Sequence, residues 1–185
     1  MTSEGPTDGA RVASGLVNTL DTMAREPDFL QGVDRLERFL RWAGLEARPG
    51  LTERDVREVK ALRSRLRKVF LAETLDEQVE LLNGELLRIR PIPQLARTEA
   101  TWLVAHRPRS HRLVDELATT AVLGLTDVIS SYGEGRLAMC EAEPCECVYV
   151  DRTRSGRRRY CCRLCNDRAS QAAHRRRRGG TTAAS

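Results

Sequence analysis

The chain has 185 residues, of which 41% are hydrophobic, 31% charged and 4% aromatic. This composition excludes a chain that is disordered throughout, and the length allows one domain of ordinary size with a small second module. Residues 152–178 hold eleven arginines and one acidic residue, so they carry +10 and leave about −5 of the net +5 for the rest. Unless this run is simply solvated, it is typical of a segment that binds a polyanion.

The N-terminal segment has no features of an export signal. Residues 1–13 contain no apolar run behind a basic start, and no later stretch reaches the roughly 18 apolar residues of a membrane span. All six cysteines fall between Cys140 and Cys165. We therefore expect a cytoplasmic protein with no membrane contact, in which metal binding is favoured over disulfides.

Apolar residues at helical spacing predict two helices before residue 45. The first runs from Val12 to Met23 and is ended by Pro27. The second covers residues 33–43, and Gly44 follows it as a typical C-terminal glycine.

Two further helices are predicted from capping residues. Thr52 with Asp55 indicates the start of a third helix, and Thr74 with Glu77 forms a capping box for a fourth. Their apolar stripes continue over residues 56–69 and 79–86, respectively.

The segment after the fourth helix changes character. Pro91 and Pro93 exclude a helix, so residues 92–96 and 101–105 are predicted to be two strands of a hairpin. Ser110 is predicted to cap a long fifth helix over residues 113–128. Gly133 and Gly135 end this helix and are predicted to be a hinge.

These elements predict a mainly α fold with a small β component. We divide the chain into a helical domain with a short hairpin over residues 10–133 and a cysteine module over residues 136–178. The small, polar, glycine-bearing ends, residues 1–9 and 179–185, are predicted to be disordered.

The cysteine module has the spacing of a zinc site. Zinc prefers four thiolates or imidazoles in a tetrahedron, and two cysteine pairs on tight turns supply them. The apolar alternation at Val148 and Val150 and a turn at 154–156 predict a hairpin that returns the chain to the second pair, and a helix then runs to about residue 178. From six cysteines we choose as ligands of one structural Zn²⁺ Cys140, Cys145, Cys161 and Cys165.

The knuckle, hairpin and helix resemble a treble-clef zinc finger, in which metal binding supplies on the order of 10 kcal/mol of folding free energy. Two cysteines remain outside the chosen set, Cys147 and Cys162. Either both are small buried residues, or one of them displaces zinc on oxidation and acts as a thiol switch.

Every basic residue of the module is arginine, whose guanidinium group forms paired hydrogen bonds with phosphates and with the edge of guanine. On the last helix, Arg168, Gln171, Arg175 and Arg178 share one face because of their spacing. Few aromatic residues are interleaved, so duplex DNA is favoured over single-stranded RNA. The candidate nucleic-acid contacts are Arg154, Arg157, Arg158, Arg159, Arg163, Arg168, Gln171, His174, Arg175 and Arg178.

The module resembles the CGNR zinc finger. The resemblance rests on Cys-x4-Cys, an aspartate six residues later, an arginine cluster, an aromatic residue and a final Cys-x-x-Arg: Cys140, Cys145, Asp151, Arg154 to Arg159, Tyr160, Cys161, Cys165 and Arg168. The naming tetrad reads here Cys165-Asn166-Asp167-Arg168, so an acid stands beside the candidate DNA face.

Upstream, residues 16–21 (LVNTLD) are similar to the opening motif of the helical ABATE domain that usually precedes this finger. The resemblance implies a bacterial transcription regulator with a structural zinc ion.

No pattern of an enzyme is present. The sequence has no Ser/His/Asp arrangement, no phosphate-binding glycine loop and no HExxH, so we expect no enzymatic activity. The polar residues Asn18 and Asp21 interrupt the first apolar helix, and Trp42 and Trp102 are the two tryptophans. Either Asn18 bonds a backbone and the tryptophans are core, or these residues line a pocket for a small-molecule effector.

The sequence thus predicts a DNA-binding transcriptional regulator whose helical domain senses an effector or dimerises. The alternatives are a zinc-dependent protein- or RNA-interaction module and a thiol-based redox sensor. One short finger reads few base pairs, so we expect a specific regulator to form a homodimer.

Overall fold

The structure is a computed structural model that describes residues 8–45, 48–97 and 101–179, with side chains up to Arg175 in the last helix. Across these residues it is about 53% helical with two small hairpins, which confirms a mainly α fold. No helix in this part of the chain is long and apolar enough to cross a membrane. The elements are α1 (Gly9–Val17), α2 (Val33–Trp42), α3 (Glu53–Leu71), α4 (Leu75–Ile89), β1 (Ile92–Arg97), β2 (Trp102–Arg107), α5 (Leu113–Tyr132), β3 (Leu137–Met139), β4 (Val148–Val150) and α6 (Arg163–Gly179).

The capping residues mark the starts of α3 and α4 as predicted. In α3 the Thr52 hydroxyl accepts from the backbone N–H of Asp55, and the Asp55 carboxylate accepts from that of Thr52 at 2.8 Å. In α4 the Thr74 hydroxyl accepts from Glu77, but the Glu77 carboxylate accepts from the N–H of Glu73 instead of Thr74. Helix α3 buries its whole apolar stripe, which consists of Val56, Val59, Leu62, Leu66 and Val69.

Helix α1 is shorter than predicted and ends at Val17. The following segment folds back on itself: the N–H of Asp21 donates to the carbonyl of Pro27 at 2.8 Å, and the N–H of Phe29 to that of Thr19 at 2.8 Å. We call residues 18–28 the return loop. The helical spacing of residues 20 and 23 was therefore misleading, and the Met23 side chain is exposed.

Three other local predictions need correction. The N-cap of α5 is Arg112, while the Ser110 hydroxyl accepts from the N–H of Arg112 and contacts the Asp115 carboxylate. Residues 8 and 9 are ordered, because the Asp8 carboxylate caps α1 by accepting from Arg11 at 3.0 Å. Gly179, also predicted to be disordered, is the last residue of α6. The rest of that prediction, residues 1–7 and 180–185, lies outside the described residues.

Helices α1 and α5 pack closely because glycines face each other. A Cβ on Gly124 would lie 2.3 Å from the backbone of Gly9, and a Cβ on Gly9 would lie 2.1 Å from the carbonyl oxygen of Thr120. Around this crossing, α1 to α5 enclose an aliphatic core, whose largest fully buried side chains include Leu16, Leu36, Leu40, Leu62, Leu66, Leu117 and Leu125.

The cysteine module packs directly on this core. Its hairpin pairs β3 with β4 in antiparallel register, and Leu137 and Val148 belong to the same buried cluster as the helices. The side-chain amide of Gln78 donates to the Leu137 carbonyl at 3.0 Å. Gly133 and Gly135 have positive φ angles of 74° and 75° and form the turn into β3, at the place where the sequence predicts a hinge.

The hairpin of β1 and β2 projects from the helices. Its residues Leu95 and Trp102 are 72% and 62% exposed, and the Arg97 guanidinium lies 6.0 Å from the Trp102 ring centre. Trp42 is also 44% exposed. The prediction that both tryptophans are core residues is therefore wrong.

Candidate metal centre and arginine face

Four cysteines come together where the connection between β3 and β4 meets the start of α6. Cys140 follows β3, Cys145 lies on the turn before β4, Cys161 precedes α6 and Cys165 is in its first turn. Their four Sγ atoms lie within 4.8 Å of one another, and three of the four residues are buried. These are the four cysteines chosen from the sequence.

The spacing of the sulfur atoms fits a tetrahedral zinc ion. With Zn–S bonds of about 2.3 Å, the sulfur atoms of a tetrahedron are about 3.8 Å apart. The Sγ atoms of Cys145 and Cys161 are 3.7 Å apart, and those of Cys161 and Cys165 are 3.6 Å apart. All four are free thiols rather than disulfides. The donor set is that of a closed structural site with no position left for a substrate.

Backbone groups hold the cysteines in place. The N–H of Cys161 points at the Cys140 sulfur at 3.3 Å, the N–H of Cys140 donates to the Cys147 carbonyl at 2.8 Å, and the N–H of Cys145 donates to Ala142 at 2.8 Å. Burial and the neighbouring thiols raise the pKa of Cys161 and raise that of Cys165 to about 12. Without a metal these two groups are therefore neutral thiols, and a bound cation would favour the thiolate form.

The two remaining cysteines differ from each other. Cys162 is exposed, which contradicts the prediction that it is a small buried residue, and Cys147 is half-buried. Burial and the adjacent Cys145 raise the pKa of Cys147 to about 12. Neither belongs to the group of four sulfur atoms.

Asp151 organises the turn that returns the chain to the second cysteine pair. It is completely buried, and its carboxylate accepts from the N–H groups of Thr153 at 2.8 Å and Arg158 at 2.9 Å. The turn at 154–156 thus exists, but β4 pairs with β3 before it rather than with the chain after it. The sequence did not reveal this pairing because β3 has only three residues.

Several arginines of the predicted face are bound within the protein. Arg158 donates to the carbonyls of Tyr160, Val150 and Cys161 and stacks 4.9 Å from the Tyr149 ring. Arg159 pairs with Glu141, and Arg163 lies 3.8 Å from Asp167. Arg158 therefore stabilises the finger, and the charges of Arg159 and Arg163 are partly neutralised.

Other arginines remain open to solvent. Arg154, Arg157, Arg168 and Arg175 are exposed, and no ion pair joins them to an acid among the described residues. We call these four residues the open arginines. Gln171 and His174 are also exposed, whereas the side chain of Arg178 lies outside the described residues.

Two residues beside the open arginines were not among the contacts predicted from the sequence. Leu164 is 76% exposed and shares a helical face with Arg168, Gln171 and Arg175. Asn166 lines a groove of about 480 Å³ at the start of α6, together with Arg157, Arg159, Tyr160 and Arg163. Leu164 lies four residues before Arg168, so its place on the basic face of the helix could have been recognised from the sequence.

Three of the four residues predicted to form an effector pocket lie together. Asn18, Asp21 and Trp42 line a groove of about 650 Å³ between α1, the return loop and α2, with Phe29, Phe39 and Arg38. Trp102 is on the projecting hairpin and does not line this groove. Asn18 also bonds the finger: its amide donates to the Val148 carbonyl at 2.9 Å and accepts from the Val148 N–H at 2.8 Å.

Two family models match the chain, and they are the two families that its motifs resemble. The model of the ABATE family, described as "putative stress-induced transcription regulator", matches residues 10–131, and the model of the CGNR zinc finger matches residues 136–178. No curated protein matches the chain. Both families are of a regulator or zinc-finger type rather than an enzymatic one, which suggests a metal-binding regulator. The chain belongs to the ABATE family and carries a CGNR zinc finger after the helical domain.

Proposed function

We propose that the protein is a transcriptional regulator that binds duplex DNA through its zinc finger. Cys140, Cys145, Cys161 and Cys165 hold one structural zinc ion, which fixes the start of α6 against the β3–β4 hairpin. The exposed face of α6 and the turn before it then meet the DNA backbone. The observation that carries this proposal is the group of open arginines, because the other arginines between residues 152 and 175 are paired with acids or bound to carbonyls.

The open arginines fit phosphate better than they fit an acidic protein surface. Arginine binds phosphate in a bidentate manner, and the module exposes four such side chains between residues 154 and 175. Gln171 and Leu164 lie on the same face as Arg168 and Arg175, where an amide can read adenine and an apolar group can contact the thymine methyl. The Asp167 carboxylate lies 3.8 Å from the Arg163 guanidinium, which offsets part of its negative charge.

Salt dependence of binding tests this proposal. Fluorescence anisotropy with labelled duplex DNA should give a log–log salt slope of about −3.6 if four phosphates are neutralised. Replacing both Arg168 and Arg175 by glutamine should make the slope about 1.8 units less steep, because two phosphate contacts are lost. Arg57→Gln, an exposed change on α3, is the matched control and should leave binding unchanged. A salt-independent titration, or tighter binding to single-stranded RNA than to duplex DNA, would contradict the proposal.

The zinc assignment has its own test. Metal analysis of the purified protein should find one zinc per chain, and serine at Cys140 or Cys165 should abolish it. Cys162→Ser and Cys147→Ser are the controls and should keep full zinc content, because their sulfur atoms lie outside the group of four. Loss of zinc in either control would show that a different set of ligands is used. Unchanged zinc content after mild peroxide would exclude a thiol switch at these two residues.

A further inference from the structure

The groove between α1, the return loop and α2 has a chemistry that selects one kind of ligand. We propose that it binds a small organic cation, an amine attached to a flat apolar body. The amine pairs with Asp21, and the flat part lies against Trp42 and the neighbouring phenylalanines. The groove, of about 650 Å³, lies in the range of small-molecule sites in proteins.

The aromatic wall is held in position but remains accessible. The Trp42 ring touches the backbone of Gly15 so closely that a Cβ there would lie 2.1 Å from the ring. Phe39 packs against Trp42 with ring centres 5.6 Å apart and an angle of 33° between planes, and Arg11 lies 4.4 Å from the Trp42 centre. Trp42 is nevertheless 44% exposed. A rigid, solvent-facing indole is the surface on which flat or cationic ligands bind well.

One carboxylate of the groove has no cationic partner. Glu26 is paired with Arg35 at 3.0 Å, and the guanidinium groups of Arg35 and Arg38 lie 5.0 and 5.7 Å from the centre of the Phe29 ring. Asp21 is half-buried and accepts one hydrogen bond, from the N–H of Met23 at 2.9 Å. No cation pairs with it in the part of the chain that the structure describes. A ligand that covers this carboxylate must supply the positive charge, because an unpaired buried carboxylate is costly.

The wall of the groove and the return loop each contact the finger at one point. Asn18 lines the groove and holds β4 through the backbone of Val148. Met23, on the return loop, contacts the Arg168 guanidinium through its sulfur at 3.8 Å. A ligand on Asp21 fixes the return loop and thereby changes the freedom of an open arginine. This regulatory step rests on the proposed DNA binding, whereas ligand binding itself does not.

The binding experiment uses the full chain with Trp102→Phe, so that Trp42 is the one fluorescent indole. Three isosteric probes are titrated: 2-phenylethylamine, the neutral 2-phenylethanol and the anion phenylacetate. Probes of this size bind in about the millimolar range. We expect the amine to bind about tenfold more tightly than the alcohol, because a charge-assisted hydrogen bond to Asp21 is added. Phenylacetate should bind most weakly.

Two variants locate the site. Asp21→Asn should bring the affinity for the amine to that for the alcohol, and Asp127→Asn, an exposed change on α5, should leave both unchanged. Circular dichroism checks that each variant is folded, and isothermal titration of Trp42→Leu should lose binding of both probes. A response that does not saturate, equal affinity for the three probes, or an undiminished preference for the amine in Asp21→Asn would each overturn the proposal.

The regulatory step is read separately, as the change in duplex-DNA affinity at saturating amine. We expect a change of about fivefold in the wild-type chain and none in Asp21→Asn. If the amine binds but the chain binds no DNA with or without it, the proposed function fails while the ligand site stands. If DNA binds equally in both conditions, the coupling is wrong although both sites exist.

Discussion

At the scale of single residues, Asn18 joins the two parts of the molecule. Its side-chain amide donates one hydrogen bond to the backbone of Val148 and accepts another from it. The amide thus pairs with β4 as the peptide group of a neighbouring strand would. The residue lies in the LVNTLD motif at the end of α1. This motif therefore has a structural task at the interface with the finger, and the predicted backbone bond of Asn18 is present, although the tryptophans that the same interpretation placed in the core are exposed.

Replacing Asn18 by alanine should lower the free energy of unfolding by about 2 kcal/mol, because two backbone groups of Val148 lose their partners. Asn18→Asp keeps the acceptor for the Val148 N–H but places a negatively charged oxygen against the Val148 carbonyl. At neutral pH it should therefore lower the free energy of unfolding at least as much. Urea denaturation measures both. Asn83→Ala, an exposed change on α4, is the control, and an equal loss there would contradict the role of Asn18.

Asp28 fixes the end of the return loop. Its carboxylate binds the buried Arg63 guanidinium at 2.6 and 3.1 Å, and Lys60 adds a second ion pair at 3.0 Å. The hydrogen bond from Arg63 is the main reason that the pKa of Asp28 lies well below its usual value of about 3.9. A carboxyl whose pKa is lowered by folding stabilises the protein above its unfolded-state pKa.

We predict that Asp28→Asn destabilises the protein by about 3 kcal/mol at pH 6, since Arg63 loses its charged partner. The wild-type chain loses this contribution as the pH falls below about 4, so the difference between the two proteins should shrink there. Urea denaturation at pH 6 and at pH 3 measures it. A difference that stays constant would show that the charge of Asp28 is not the stabilising feature.

At the scale of elements, the crossing of α1 and α5 depends on two glycines. Gly124→Ala should lower the free energy of unfolding by about 3 kcal/mol, because the new methyl group meets backbone that cannot rotate away. Gly84→Ala on α4 is the matched change into open space and should stabilise by about 0.5–1 kcal/mol through helix propensity. Thermal melting compares the two, and similar effects would contradict the close crossing.

Local signals predicted the elements whose ends are decided locally. Thr52 and Asp55 are three residues apart and cap α3 with no help from the rest of the chain. Ile92 to Arg97 and their partners in β2 are likewise neighbours in sequence. The four cysteines were identified because their spacing and the geometry of zinc leave few choices among six. Such features need no knowledge of the folded chain.

The features that were not predicted depend on contacts between residues far apart in the sequence. Helix α1 ends at Val17, and Asn18 just beyond it bonds a residue 130 positions away. On α4, Gln78 and Glu85 are buried although polar, because Gln78 bonds the Leu137 carbonyl and Glu85 pairs with Arg65 at 2.8 Å. No periodicity reveals these partners. The same holds for Glu141, which pairs with Arg159, a residue predicted to contact nucleic acid.

At the scale of the whole molecule, the finger and the helical domain share one buried cluster through Leu137 and Val148. The zinc site should therefore support the stability of the whole chain. We predict that chelation with EDTA lowers the melting temperature by at least about 10 °C, since several kcal/mol of binding free energy are lost. Circular dichroism of the helices measures the shift.

Cys140→Ser is the control for this experiment, because EDTA should not lower its melting temperature any further. Helices that melt at the same temperature with and without zinc in the wild-type chain would contradict the coupling. In that case the helical domain would keep its stability without a metal-bound finger.

The bonds from Asn18 and Gln78 also set an order for biosynthesis. Both amides belong to the first half of the chain, and their partners Val148 and Leu137 leave the ribosome much later. Until then the amides are hydrated, and the helical domain presents a surface shaped for a finger that has not yet emerged. A cell short of zinc would therefore accumulate chains in which helices α1 to α5 have formed while the finger, which needs the metal to fold, has not.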